Sequence, residues 1–164
     1  MKRTMKTRMT ILAGALALVA TACSGASGSA DAPGGDGVAT ASQAEGDPIP
    51  TVTLETFAGE TMSLGDYTGR PVVVNFWASW CPSCVAEMSA AFLPAQQQLG
   101  DQVAFLGVNI QDDRSRALAL VEETGVLFDL AEDPDGALYT ALGGLGMPFT
   151  VFVSADGQVV DAHN

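Results

Sequence analysis

The chain has 164 residues, 48% of them hydrophobic and 16% charged, and a net charge of −12. All 19 acidic residues follow residue 22, and only Arg70, Arg114 and Arg116 follow it as cations, so the chain beyond that point carries a charge near −16. Such a surface argues against nucleic-acid binding and against electrostatic adsorption to anionic lipid, and the stretch from about Ile49 onward is long enough for one domain with one core.

Lys2, Arg3, Lys6 and Arg8 form a basic start, followed by an uncharged, Leu- and Ala-rich stretch from Met9 to Ala22. That stretch is shorter than the ~20 residues a membrane-spanning helix needs, so residues 1–22 read as a cleaved export signal. Leu18-Val19-Ala20-Thr21-Ala22-Cys23-Ser24-Gly25 resembles a bacterial lipobox, which implies lipidation at Cys23. Ala20 departs from the Leu, Val or Ile usual at the third position before the cysteine, and plain secretion is the alternative. Either reading places the remaining cysteines in a compartment where disulfides persist. Residues 23–48 are dominated by Gly, Ala, Ser and Asp and read as a flexible tether, because they cannot bury enough apolar surface to order themselves.

Residues 49–164 are expected to form the folded domain. Thr51–Leu54 and Thr61–Leu64 alternate about a turn at Phe57–Glu60, which predicts a hairpin. Pro71–Trp77 is a continuous apolar run, the pattern of a strand covered on both faces. Pro82 to about Leu99 predicts a helix with Val85, Met88, Ala91, Phe92 and Ala95 on one face and Gly100 as its stop. Val103–Ile110 is a second buried strand. Asp112 or Asp113 can cap a helix that runs to Thr124, stops at Gly125 and turns Ala117, Leu118, Leu120 and Val121 inward. Val126–Leu130 predicts a third strand and Pro134–Leu142 a short helix. Phe149–Val153 and Gln158–Val160 predict a hairpin around Ala155-Asp156-Gly157. Strands alternating with helices imply an α/β domain with a mostly parallel sheet and an antiparallel closing hairpin.

The chemistry lies where the first buried strand meets the first long helix, at Trp77-Ala78-Ser79-Trp80-Cys81-Pro82-Ser83-Cys84. A Cys-x-x-Cys in the first turn of a helix meets free backbone N–H groups and the positive end of a dipole, which favour thiolate. Two intervening residues let the sulfurs close a tight ring, so the pair can pass between dithiol and disulfide. Pro82 suits the first helical position, where its missing N–H costs nothing. Structural zinc needs four Cys or His ligands, and the chain offers only Cys23 and His163 beyond the pair, at opposite ends. Pro148, at the start of the next-to-last strand, is open to two readings on position alone, an ordinary trans proline that opens the strand or a cis Met147–Pro148 bond.

Val72–Cys84 and Gly146–Val153 together resemble the thioredoxin superfamily, over about Ile49–Val160. The leading hairpin, the strand–helix insertion near Val126–Leu142 and the lipoprotein-like start resemble its exported TlpA/ResA/DsbE-like thiol:disulfide oxidoreductases. The resemblance implies a thioredoxin-like fold with a mixed central sheet flanked by helices. It makes Cys81 the attacking thiol and Cys84 the resolving one. It places a cis Pro148 against the disulfide, with Met147 offering backbone to a bound peptide beside Trp80 and Pro82. It also matches Glu87, whose spacing sets its carboxylate one turn beyond Cys84, where it can exchange the proton of that cysteine. Trp77 is read as core. The family ordinarily has proline where Ser89 stands, and it continues into a final helix, so the resemblance implies a copy without that helix. No cofactor or metal is implied, and the expected partners are thiols or disulfides of exported proteins and a membrane redox partner.

Proline directly after the first cysteine resembles the oxidant DsbA more than the reducing thioredoxins, which tips the expectation toward donating disulfides. The alternative is a reductant in cytochrome c maturation. A peroxiredoxin-like peroxidase would want a Pro-x-x-x-Thr/Ser-x-x-Cys loop, and a copper chaperone Cys-x-x-x-Cys with a histidine before the last hairpin; neither pattern surrounds Cys81. A non-catalytic binding domain stapled by the same cysteines is the remaining alternative.

Overall fold

The computed structural model describes residues 45–164. The expected signal, Cys23 and all of the tether before Glu45 lie outside the described residues. Seven strands, β1 (Leu54–Thr56), β2 (Thr61–Met62), β3 (Val72–Trp77), β4 (Ala104–Ile110), β5 (Asp129–Asp133), β6 (Phe149–Val153) and β7 (Val159–His163), form one sheet in the order β2-β1-β5-β4-β3-β6-β7. The helices are α1 (Pro82–Glu87), α2 (Leu93–Leu99), α3 (Arg114–Thr124) and α4 (Ala137–Ala141).

Only β3–β4 and β4–β5 pair in parallel; β1–β2, β1–β5, β3–β6 and β6–β7 are antiparallel. The expected mostly parallel sheet is thus parallel at its centre and antiparallel on both sides, because the leading hairpin docks on β5 as the closing hairpin docks on β3. The two parallel crossovers run in the same direction across the sheet. Right-handed connections therefore put α1–α2 and α3 on the same face. There Trp77, Cys84, Met88, Phe92, Phe105, Ala117 and Phe128 form one core. The return from β5 to β6 puts α4 on the opposite face, where Leu138 and Leu142 pack on Val74, Phe76, Leu106, Phe149 and Val151.

Several boundaries differ from the sequence expectation. β1 starts at Leu54 rather than Thr51, where pairing with β5 begins at Glu55↔Glu132. Ser63 and Leu64 leave the strand because the Ser63 N–H donates to Asp66 Oδ2 at 2.6 Å, starting a 3-10 turn over Leu64–Tyr67. The Pro82–Leu99 stretch is helical throughout but widens into a π turn at Met88–Phe92, where the Leu93 N–H reaches Met88 O. Pro94 supplies the reason: it lacks a donor and its ring would clash with the carbonyl one turn back. Ala91 and Leu118, expected inside, are exposed. β5 is displaced to Asp129–Asp133, since register with β4 runs from Leu106↔Asp129 to Ile110↔Asp133. Val126 and Phe128 instead fill the core from the connection that follows Gly125, whose φ of 65° ends α3. Residues from Pro134 on form a turn before α4, where Asp133 Oδ1 and Oδ2 accept the Ala137 and Tyr139 N–H groups at 2.8 and 2.9 Å. β7 runs three residues beyond Val160. The last residues assigned to the tether are paired to the closing hairpin, with the Gly46 N–H on Val159 O at 2.7 Å and the Val159 N–H on Asp47 O at 2.9 Å.

Candidate active site

β3, an interior strand, ends at Trp77, and α1 begins five residues later at Pro82. Cys81 is the N-cap of α1 in an extended conformation, Pro82 is at the first helical position, and the Cys84 N–H donates to Cys81 Sγ at 3.3 Å. Cys81 and Cys84 are joined, with an S–S distance of 2.02 Å and Cα atoms 5.3 Å apart. The two sulfurs are not equivalent. Cys84 is fully buried, while Cys81 keeps 5% of its surface open, and the Ser83 hydroxyl lies 3.5 Å from Cys81 Sγ. An incoming sulfur can reach Cys81 alone. Once the bond opens, the Cys84 N–H, the Ser83 hydroxyl and the helix N-terminus all favour negative charge on that same atom.

Glu87 ends α1, and its Oε2 is buried without a hydrogen-bond partner. Burial holds its carboxyl above the ordinary range, opposed by a hydrogen bond with Asn75. Asn75 is a buried polar residue in the middle of β3, and its Nδ2 donates to Thr150 Oγ1 on the facing strand at 3.2 Å. Asn75 Oδ1 is likewise buried and unpaired. Protonation would turn the buried Glu87 oxygen from an acceptor without a partner into a donor, which fits a carboxyl that changes state with its surroundings.

The Met147–Pro148 bond is cis, as the sequence led us to expect. Pro148 and Glu87 line one open groove of about 390 Å³, walled by apolar residues including Phe92, Phe105 and Phe152. Met147 is half-buried and packs against the core that holds the cysteines. Trp80 is 54% exposed, with its Nε1–H on Gln111 O at 3.0 Å, and Pro82 is exposed beside it. Trp77 is fully buried and stacks on Phe57, with ring centroids 6.3 Å apart, as a core residue should. The structure thus gathers Trp80, Cys81, Pro82 and Cys84 in one turn, with Glu87 following on α1; Cys23 lies outside the described residues.

Three neighbours of the site escaped the sequence reading. Asn75 and Thr150 form the polar pair beneath α1, and a lone asparagine inside Val-Val-Val-Asn-Phe-Trp was the available signal. Asp112 turns away from α3 toward Ser79. The Asp112-Asp113 doublet was the clue there, since Asp113 alone caps α3 by accepting the Arg116 N–H at 3.0 Å. Among the described residues no group of three or more His, Cys, Asp or Glu could hold a metal, and no helix is long and apolar enough to cross a membrane.

Comparison with known proteins follows the same lines. The chain is 36% identical over 121 residues to the thiol:disulfide interchange protein DsbE of Pseudomonas fluorescens biotype C, covering 72% of this chain and 65% of that protein. It is 30% identical to the thioredoxin-like protein YneN of Bacillus subtilis, covering 73% of this chain and 71% of that one. The chain thus spans just under two thirds of the DsbE relative's length. In structure it resembles a secreted Mycobacterium tuberculosis disulfide oxidoreductase homologous to Escherichia coli DsbE, with 27% identity, a TM-score of 0.60, and coverage of 66% of this chain and 79% of that one. The fold is thioredoxin-like, a mixed seven-stranded sheet with helices on both faces. With the Redoxin family model matching residues 44–164, the stretch that carries both the cysteine pair and the cis-proline, the chain belongs to the Redoxin family.

Proposed function

We propose that the protein is a thiol:disulfide oxidoreductase acting on exported proteins, and that it works chiefly as a disulfide donor. The observation that carries this reading is the asymmetry of the pair: Cys81 keeps a sliver of exposed surface at the helix start, with the Cys84 N–H and the Ser83 hydroxyl at its sulfur, while Cys84 is fully buried. A substrate thiolate attacks Cys81 Sγ, the Cys81–Cys84 bond breaks, and Cys84 leaves with the electron pair and takes a proton. A second substrate thiolate then attacks the substrate sulfur of the mixed disulfide and releases Cys81 as a thiolate. The substrate loses two electrons as its dithiol becomes a disulfide, and the pair gains them.

Glu87 is the group that hands Cys84 its proton, a role supported by its position one turn beyond Cys84 and its raised proton affinity. Pro148 and Met147 form the wall against which the substrate segment lies, with Trp80 and Pro82 on the other side. The donor direction is favoured by the hydrogen donors at Cys81, because what stabilises the reduced thiolate makes the disulfide a stronger oxidant. Residues 1–22 act as the export signal, Cys23 as the lipid-attachment site and residues 23–48 as the tether to the outer face of the plasma membrane, where a membrane redox partner reoxidises the pair. The secreted Mycobacterium tuberculosis relative supports the export part of this reading.

The test mixes the oxidised full chain with a reduced, unfolded dithiol protein. Wild type should transfer one disulfide per pair, and Cys81→Ser should transfer none. Cys84→Ser, given a disulfide substrate, should accumulate a covalent adduct through Cys81. Transfer by Cys81→Ser would refute the assignment.

A further inference from the structure

The turn that presents Cys81 is held from outside. β3 and β4 run parallel with Trp77 opposite Asn109, so the loops leaving their carboxyl ends lie side by side. From the β4–α3 loop, the Asp112 carboxylate reaches across to the β3–α1 turn. It accepts the Ser79 N–H at Oδ2 and the Ser79 hydroxyl at Oδ1, the latter at 2.7 Å. Asn109 Nδ2 donates to Oδ2 at 3.0 Å, and the Asp113 N–H to Oδ1 at 2.8 Å. Asn109 Nδ2 also lies 3.4 Å from Trp77 O, and the Trp80 indole N–H is held by Gln111 O.

The loop takes a cost to reach this position. Gln111 has a φ of 47°, a left-handed conformation that a residue other than glycine adopts only when its surroundings enforce it. Nor does α3 need Asp112, because Asp113 is its cap. Burial alone would raise the Asp112 carboxyl, and the hydrogen bonds from Asn109, Ser79 and Asp113 together outweigh it, leaving the group below the ordinary carboxylate range. The carboxylate is therefore charged at neutral pH and accepts four hydrogens, two of them from the residue that precedes Trp80-Cys81.

We propose that Asp112 is a positioning residue for the redox pair: by fixing the Ser79–Cys81 turn it sets how well the reduced Cys81 thiolate is held at the start of α1. This rests on the exchange reading above. In the disulfide form Cys81 is tied covalently to α1 through Cys84. In the dithiol form that tie is gone, and Cys81 Sγ is kept beside the Cys84 N–H by the backbone, through the Val85 N–H on Cys81 O at 3.1 Å on the helix side and the Ser79–Cys81 turn on the other. Loosening the turn costs the reduced form more than the oxidised one. Loss of the Asp112 carboxylate thus moves the pair toward disulfide and raises the Cys81 thiol pKa. A purely electrostatic role predicts the reverse sign, since removing a negative charge favours a nearby thiolate.

The test is the redox equilibrium of the full chain with glutathione, for wild type, Asp112→Ala, Asp112→Asn and Ser79→Ala. Asp112→Ala should shift the equilibrium constant at least threefold toward the disulfide, equal to about 14 mV or more at ~29.6 mV per tenfold. Asp112→Asn, which keeps one acceptor oxygen, should shift less in the same direction. A shift of Asp112→Ala below threefold, or toward the dithiol, overturns the proposal. Should that variant not fold, Ser79→Ala decides: it keeps the backbone bond to Asp112 and loses the hydroxyl one. A shift toward the disulfide supports the proposal; none, or the reverse, overturns it. A wild-type pair that does not exchange with glutathione defeats the exchange reading itself, and this proposal with it.

Discussion

Gly107 sits mid-strand in β4, flanked by Asn75 on β3 and Leu130 on β5. A Cβ built there would lie 2.7 Å from Phe128 Cε2, 2.9 Å from Leu130 Cδ2 and 3.1 Å from Trp77 Nε1. Carbon atoms in ordinary contact stand about 3.5–4.0 Å apart, so the Phe128 ring must retreat by about 0.8 Å or more. Leu130 is half-buried and can turn aside. Phe128 and Trp77 cannot, because both are buried among Ala117, Met88 and Phe92 in the core that carries the cysteines. Overpacking of this kind costs about 1–3 kcal/mol, partly offset by the backbone entropy that alanine removes from the unfolded chain. We expect Gly107→Ala to lose about 1–2 kcal/mol net, or about 4–8 °C in the melting temperature of a domain this size. Thermal unfolding of the oxidised full chain, followed by circular dichroism, measures it. An unchanged or raised midpoint would refute the claim that a Cβ at this position crowds the buried Phe128 and Trp77 rings.

Three other changes test separate parts of the account. Glu87 binds its proton more tightly folded than unfolded, so its contribution to stability is present below its unfolded pKa of about 4.3 and is lost as pH rises through the higher folded value. Glu87→Gln should therefore gain stability over wild type as pH rises through that window and hold the gain above it; urea midpoints that move in parallel at every pH would contradict this. Tyr67→Phe removes the hydroxyl that donates to Asp129 at 2.8 Å and should cost about 0.5–1.5 kcal/mol in urea unfolding, where no loss would show that the bond contributes nothing. Leu138→Ala empties a fully buried position under α4 and should cost about 2–5 kcal/mol, with a loss below 1 kcal/mol marking that face as loosely packed.

How far the sequence could be read depended on whether the signal was local. β3, α3 with its Asp113 cap and Gly125 stop, and β6 lie close to their expected ranges, since apolar runs and caps act within a few residues. The cysteine pair was legible for the same reason: strand, turn, Cys-x-x-Cys and helix are contiguous. β5 slipped by three residues because Val126–Leu130 is apolar for packing, while the ladder is chosen by β4, distant in sequence. The π turn was hidden because the helical periodicity of Val85–Leu99 continues through it, and only Pro94 marks the fault. Asp112 could not be separated from Asp113 as a cap, because the difference lies in Ser79, a residue on another strand's loop. Long-range pairing of polar groups leaves no period in a sequence.

The most direct test of the account is the reduction potential of the Cys81–Cys84 pair in the full chain, taken from its equilibrium with glutathione. A disulfide donor should lie above about −200 mV, toward the roughly −120 mV of DsbA. A value toward or below the roughly −270 mV of thioredoxin would contradict the donor assignment and make the protein a reductant.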